Sequence, residues 1–320
     1  MKYRAIAFLC FLLCFSASSI GQQWPSKPVR IVVPWPPAGA IDILARGLSD
    51  RLSKRWAQPV VVENKVGAAS IIGAELVAKS PPDGYVLMLT SDATITGNFF
   101  LFKKLPYDPV KGFTPITQLV EVPQLLIISA STGIGTVKQL VDQSKRMVLN
   151  YASWGSGTAP HLFFETLKAQ SGASIQHVPY KGPADVVRAI GAGEIQMSLA
   201  SAATWYGLIS SGKARAIAVT HSQRLPNMPD VATLTEQGYG DTDPNSWLGL
   251  LGPAAIPRNV AQKIHSDIES IFSEAEFREK QLQARGLVPV VSNAEGFTAF
   301  IARDLKLKER LIRTSGATAE

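Results

Sequence analysis

The sequence predicts an α/β protein built as two doubly wound lobes joined by crossing strands. Three observations predict it. Strand-like apolar runs alternate with helical patterns along almost the whole chain, as in sheets wound with helices on both faces. An apolar content of 46% over 320 residues supports a full hydrophobic core. No Pro/Ser-rich linker, repeat or low-complexity stretch interrupts the alternation, so extended strands are expected to connect the lobes.

The elements follow in order. Lys2 and Arg4 precede an apolar run over residues 5–15, and Ser16, Ala17, Ser18 and Ser19 follow it. That order predicts a cleavable secretory signal over residues 1–21 and export to the periplasm; the run is too short for a comfortable membrane span. Val29–Val33 reads as a buried strand, and Ile43, Leu44, Leu48 and Leu52 recur after it at helical spacing. Strands are next expected at 60–62 and 85–90, separated by a helix carrying Ile72, Leu76 and Val77. Later strands read at 125–129, 148–151, 175–179, 195–199, 215–220 and 247–251. Helical patterns sit at 137–145, 161–170, 184–190, 260–272 and 295–313. The crossings between lobes are expected near 122–124 and 245–248, the second after the turn-rich stretch 238–244. Lobe 1 is then discontinuous, residues 22–124 plus 246–320, around a continuous lobe 2 of residues 125–245, with the final helices packed back on lobe 1 and a ligand cleft between the lobes.

Composition removes several function classes. Cys10 and Cys14 both lie in the signal, which leaves the exported chain without disulfides, thiol catalysis or thiolate metal sites. The formal charge of +7 is scattered, with no run of about five or six basic residues to hold nucleic acid. It reads either as a mild field favouring anions or as plain solubility. No Gly-x-Ser-x-Gly elbow, dinucleotide fingerprint, Walker loop or His-Glu-x-x-His is present. Ser156 and His161 start one helix without a third group to complete a hydrolase. The expectation is a monomer that is not an enzyme and carries no cofactor or metal.

Two strand-to-helix turns carry the chemistry. The first, Trp35-Pro36-Pro37-Ala38-Gly39-Ala40, is stiffened by prolines and lined with small residues that let a ligand approach the backbone. Its helix presents free N–H groups and the positive end of a dipole, which attract a carboxylate. Asp42 is expected to order that helix start. The second turn, Trp154-Gly155-Ser156-Gly157-Thr158, leads into a helix with Pro160 in its first turn. Ser156 and Thr158 are expected as hydroxyl donors beside the glycine amides, with Thr158 also a possible N-cap. Steric need alone also makes such turns glycine-rich. Ser91, Asp92 and Thr94 follow the strand at 85–90 and are expected to face the cleft from lobe 1.

The stretches 31–46 (IVVPWPPAGAIDILAR), 60–67 (VVVENKVG), 82–85 (PDGY), 105–108 (LPYD), 150–161 (NYASWGSGTAPH), 178–182 (VPYKG), 212–224 (GKARAIAVTHSQR) and 247–257 (WLGLLGPAAIP) occur in order over nearly the whole exported chain. Together they resemble the Bug-type extracytoplasmic solute receptors of tripartite tricarboxylate transporters. The resemblance implies a type II periplasmic-binding fold, capture of a small carboxylate by backbone groups and hydroxyls at the two turns, and transporter subunits in the membrane as partners. A receptor that signals to a partner protein is the alternative. Three departures from the family pattern stand out: Ala38 where a glycine is usual, Trp154 where a small residue is usual, and Ser-Leu-Ala-Ser at 198–201 where many relatives carry an aspartate. The last tilts the ligand away from an ammonium-bearing acid, with Ser201 taken as a cleft residue. Trp35 and Trp154 either wall the cleft against an aromatic or elongated acid or pack their lobes. His161 either meets a carboxylate or satisfies local backbone. Lys181 is read as solvated, and His177, His221 and His265 are assigned nothing.

Overall fold

Two mixed sheets organise the residues described by the computed structural model, 24–242, 244 and 246–318. The signal reading for residues 1–21 lies outside them. The first sheet holds β1 (Val29–Val33), β2 (Val60–Asn64), β3 (Val86–Ser91), β4 (Phe113–Glu121), and, after the second sheet in the chain, β10 (Trp247–Pro253) and β11 (Val288–Pro289). Its order is β11-β4-β10-β3-β1-β2. The second holds β5 (Gln124–Ser129), β6 (Leu149–Ser153), β7 (Ile175–Pro179), β8 (Met197–Ser201) and β9 (Ala214–Val219), ordered β7-β6-β8-β5-β9. β1 runs parallel to β2 and β3, and β6 parallel to β7 and β8. β10 is antiparallel to β3 and β4, and β5 to β8 and β9. The two-lobed, doubly wound α/β class is therefore the one observed.

Helices cover both faces of each sheet: α1 (Ala40–Trp56), α2 (Ile71–Ala78), α3 (Asn98–Leu101), α4 (Val137–Ser144), α5 (Ala159–Ser171), α6 (Pro183–Gly191), α7 (Ala202–Ser210), α8 (Arg258–Ser273) and α9 (Ala294–Ser315). On α1 the one-turn spacing of Leu44, Leu48 and Leu52 puts all three fully inside, against β1 and α8. Each such burial contributes about 1.5–3 kcal/mol. α5 ends on Gly172, whose left-handed φ of 67° closes the last turn.

Besides the short β11 and α3, two longer elements escaped the sequence patterns. β4 alternates poorly because Thr117 and Gln118 are buried with its apolar residues, and Pro115 sits at a register shift against β10. α7 follows β8 with no intervening residue, so no turn marks its start. The chain passes from β4 to β5 through Val122 and Pro123 alone, and Val122 N–H donates to Ser246 O at 2.8 Å, so the two crossing segments run side by side.

The final helix reaches further than the sequence implied. α9 starts over β10, where Phe297 covers Gly249 so closely that a methyl there would overlap its ring. At about 33 Å long, it ends against α5, with Leu311 and Ile312 packed on Leu162. Midway, it buries two charges. Lys308 Nζ donates to Asp92 Oδ2 at 2.7 Å and to Pro244 O. Asp304 Oδ2 accepts from Thr96 Oγ1 at 2.6 Å and Trp247 Nε1 at 2.8 Å. Removing one partner of a buried pair costs about 3–5 kcal/mol. Lys308→Ala is therefore expected to lose stability on that scale, read as a lower urea midpoint for lobe 1.

Candidate functional site

In sheets of this kind ligands sit beyond the carboxyl ends of the parallel strands. β1 and β3 end beside Trp35 and at Ser91; β6, β7 and β8 end beside Trp154, at Pro179 and at Ser201. All five of these residues line one cleft of about 1010 Å³ between the sheets. Val122, Gln124 and Ser246, from the crossing segments, line it too.

The β1–α1 turn is held from behind by Asp42. Its Oδ2 accepts from Ala38 N–H and Arg46 Nε, each at 2.9 Å, and its Oδ1 accepts from Asn64 Nδ2 at 2.9 Å. The Arg46 guanidinium holds this carboxyl below the usual carboxylate range. Asp42 thus orders the turn. Ala38 takes φ 63°, the left-handed region that favours glycine, and its N–H is engaged by Asp42. Trp35 and Ala40 line the cleft; Pro37, Ala38 and Gly39 are exposed beside it and do not. Trp35 Nε1 donates to Thr90 Oγ1 at 3.3 Å while its ring also packs on the lobe 1 core, so both readings of this tryptophan describe it.

Ser91 and Asp92 line the cleft, and Thr94 lies buried beneath it. The Thr94 hydroxyl is shared with Thr90 at 2.6 Å and Ser70 at 2.8 Å. Burial raises the Asp92 carboxyl, against the pull of Lys308.

From lobe 2, Trp154, Gly155, Ser156, Gly157, Thr158, His161 and Ser201 all line the cleft. Much of their hydrogen-bonding capacity is used locally. Thr158 occupies the N-cap position of α5 without capping it; its hydroxyl donates to Gly155 O at 2.6 Å. Gly155 N–H donates to Ser153 Oγ at 3.1 Å, and Gly157 N–H to His161 Nδ1 at 3.3 Å. Ser156 is exposed and lines the cleft, and Ser201 shares its hydroxyl with Thr204 at 3.1 Å. Trp154 also packs against the lobe 2 core. The first turns of α1, α5 and α7 carry no side-chain cap, and each contributes residues to the cleft lining, which leaves helix-start amides and the positive dipole ends beside it.

The model for the tripartite tricarboxylate transporter family receptor matches residues 44–317. The chain belongs to that family. Solved structures of similar receptors include the periplasmic binding protein BugD, 28% identical with a TM-score of 0.76, covering 93% of this chain and 100% of BugD. A second is an R. palustris protein with adipate, 27% identical with a TM-score of 0.80, covering 92% of this chain and 99% of that one. A third is MatC of Rhodopseudomonas palustris with bound malate, 25% identical with a TM-score of 0.75, covering 90% and 100%. The Bug-type resemblance and the two-lobed receptor fold read from the sequence are the ones these comparisons give.

Several residues of the receptor cleft had no signal in the sequence. Lys308 arrives from the far end of the chain, Gln124 and Ser246 from the crossings, and His177 from a strand position unremarkable by itself. Only the fold joins them. None of the described helices is long and apolar enough to cross a membrane.

Ala38 yields a test of the turn. A left-handed L-residue costs roughly 1–2 kcal/mol, partly offset by the unfolded-state entropy that glycine adds. Ala38→Gly is expected to stabilise the receptor by up to about 1 kcal/mol, a small rise in melting temperature. Gly157→Ala should do the reverse. Its φ is 77°, and a Cβ there would stand 2.8 Å from Leu101 of α3 across the cleft.

Proposed function

We propose that this receptor captures a small carboxylate, aromatic or dicarboxylic, between its two lobes in the periplasm and delivers it to membrane subunits of a tripartite tricarboxylate-type transporter. The observation that carries this reading is the convergence of the uncapped starts of α1, α5 and α7 on one cleft. Relatives solved with adipate and malate support it. Residues 22–124 with 246–320 act as one lobe and 125–245 as the other, after loss of residues 1–21 on export, and the chain works as a monomer. Trp35, Ala40, Ser91 and Asp92 contribute from lobe 1. Trp154, the 155–158 turn, His161 and Ser201 contribute from lobe 2. The two indoles on the cleft wall suit a ligand with a charged end and a flat or elongated apolar body. Nothing in this role requires a reacting group, which fits a protein that binds and releases its ligand unchanged.

Isothermal titration of the exported chain with aliphatic and aromatic mono- and dicarboxylates tests it. One of these acids is expected to bind with a dissociation constant around 1 μM, about −8 kcal/mol. Binding of sugars or metal ions alone would sink the reading. Trp154→Ala should weaken an aromatic acid by about 0.5–1.5 kcal/mol, about two- to tenfold, and leave succinate nearly unchanged. Solution scattering at saturation should give a smaller radius of gyration than the free receptor, as hinge closure requires.

A further inference from the structure

The cleft holds a pair of histidines whose hydrogen bonds set up a choice between ligands. Four titratable residues line it among those described: Asp92, Lys308, His161 and His177. Asp92 and Lys308 already face each other at 2.7 Å, with Asp304 in the same buried network. A second carboxylate entering the cleft therefore meets a cation whose charge is already matched. The histidines are the groups left that gain positive charge within the ordinary pH range.

Their geometry makes the gain specific. His161 Nδ1 accepts the Gly157 N–H, so the neutral ring carries its proton on Nε2. A proton added to Nδ1 ends that acceptance. The ring becomes a cation, and the Gly157 amide is released as a donor toward the cleft. One protonation thus changes two contacts in favour of an anion. His177 stands behind, its ring centroid 4.8 Å from that of His161 and its Nε2 2.6 Å from Ser153 Oγ. Two cations at that spacing repel, so the pair takes one proton. Burial depresses both imidazoles below their ordinary value, which keeps them neutral near pH 7 before ligand arrives.

The surrounding charges agree. On α5, Glu165 favours the imidazolium while bonded to Tyr151 of β6 at 2.7 Å and to Lys168 at 3.4 Å. β7 brings only His177, and β8 brings no titratable group. α9 brings Asp304 and Lys308 in their shared network, and Arg310 beside Asp241 of the turn Gly240–Thr242.

We propose that His161, backed by His177, determines specificity for a doubly charged acid by taking a proton from solvent as the second carboxylate settles on the β6–α5 turn. This rests on the carboxylate-receptor reading. A singly charged acid seats at the β1–α1 helix start, where no protonation is needed.

Titration calorimetry of the wild-type exported chain decides it, with succinate, malate, adipate, terephthalate and monomethyl adipate as probes. Two buffers of different ionisation enthalpy read the protons exchanged. The tightest diacid should take up close to one proton near pH 7, and its affinity should fall by up to about tenfold per unit between about pH 6.5 and 8. Monomethyl adipate should take up none. His161→Gln should keep its melting temperature, bind the diacid more weakly and exchange no proton. A diacid that binds wild type without proton uptake overturns the proposal and leaves the receptor reading standing. Equal uptake with the half-ester, or uptake persisting in His161→Gln, overturns it too. Binding of none of these acids overturns both.

Discussion

The rest of the structure hangs on the buried charges of α9. Lys308 and Asp304, one turn apart, reach Asp92 at the end of β3, Thr96 in the turn after it, Pro244 before β10, and the Trp247 indole. These are the points where the chain returns from the second sheet and inserts β10 between β3 and β4. An apolar helix face would bury as well but would not discriminate among registers. Three charged side chains that must all be paired leave α9 one position in which to dock. That position brings Leu311 and Ile312 onto Leu162 of α5, so the network below the cleft also determines how the last helix meets the second lobe.

The same network shapes the electrostatics of the cleft. A bare lysine or arginine is the simplest way to hold an anion, and this cleft has Lys308 matched to Asp92 instead. On the proposed carboxylate reading, attraction falls to helix dipoles, each worth roughly 0.3–1 kcal/mol when exposed and more when water is excluded. Such weak, fixed donors suit a protein that must also release its ligand. Residues holding the donors in place are correspondingly well braced: Asp42 ties the first turn, and the Ser153–Gly155–Thr158 bonds tie the second.

Much of this was legible in the sequence. Val29–Val33 and the α1 leucines follow directly from apolar spacing, because the face each presents to the core is wholly buried. The edge strand at Ile175–Pro179 was legible too, although only Ile175 of it is buried. The turns at Trp35 and Trp154 were legible from proline and glycine. β4 was not, because a central strand carrying Pro115, Thr117 and Gln118 violates the alternation that marks strands, and its irregular register with β10 absorbs the violation. Within the site, residues at strand ends were found and those supplied by crossings or by α9 were not. Local pattern reports the element a residue belongs to, and Lys308 meets Asp92 only after 216 residues of intervening fold. Thr94 shows the opposite failure. It follows β3 as a cleft residue should, yet the π-turn at Ala93–Gly97 directs its hydroxyl inward to Thr90 and Ser70.

The geometry also constrains what can close this receptor. A ligand shifts a conformational equilibrium only by its difference in affinity for the two states. An acid held by α1 alone touches one lobe and has the same contacts open or closed. An acid long enough to touch α1 and the Gly155–Thr158 turn gains its second set of contacts only when the lobes approach. The crossing segments favour such a swing, since Val122 and Ser246 share a hydrogen bond at the cleft base and few residues need change conformation. Gly157 already lies against Leu101, and its missing side chain lets the second turn come that near. On the proposed reading, closure is thus a test of length and of the second charge together, and the carboxylate that completes the bridge between lobes is also the one that reaches His161.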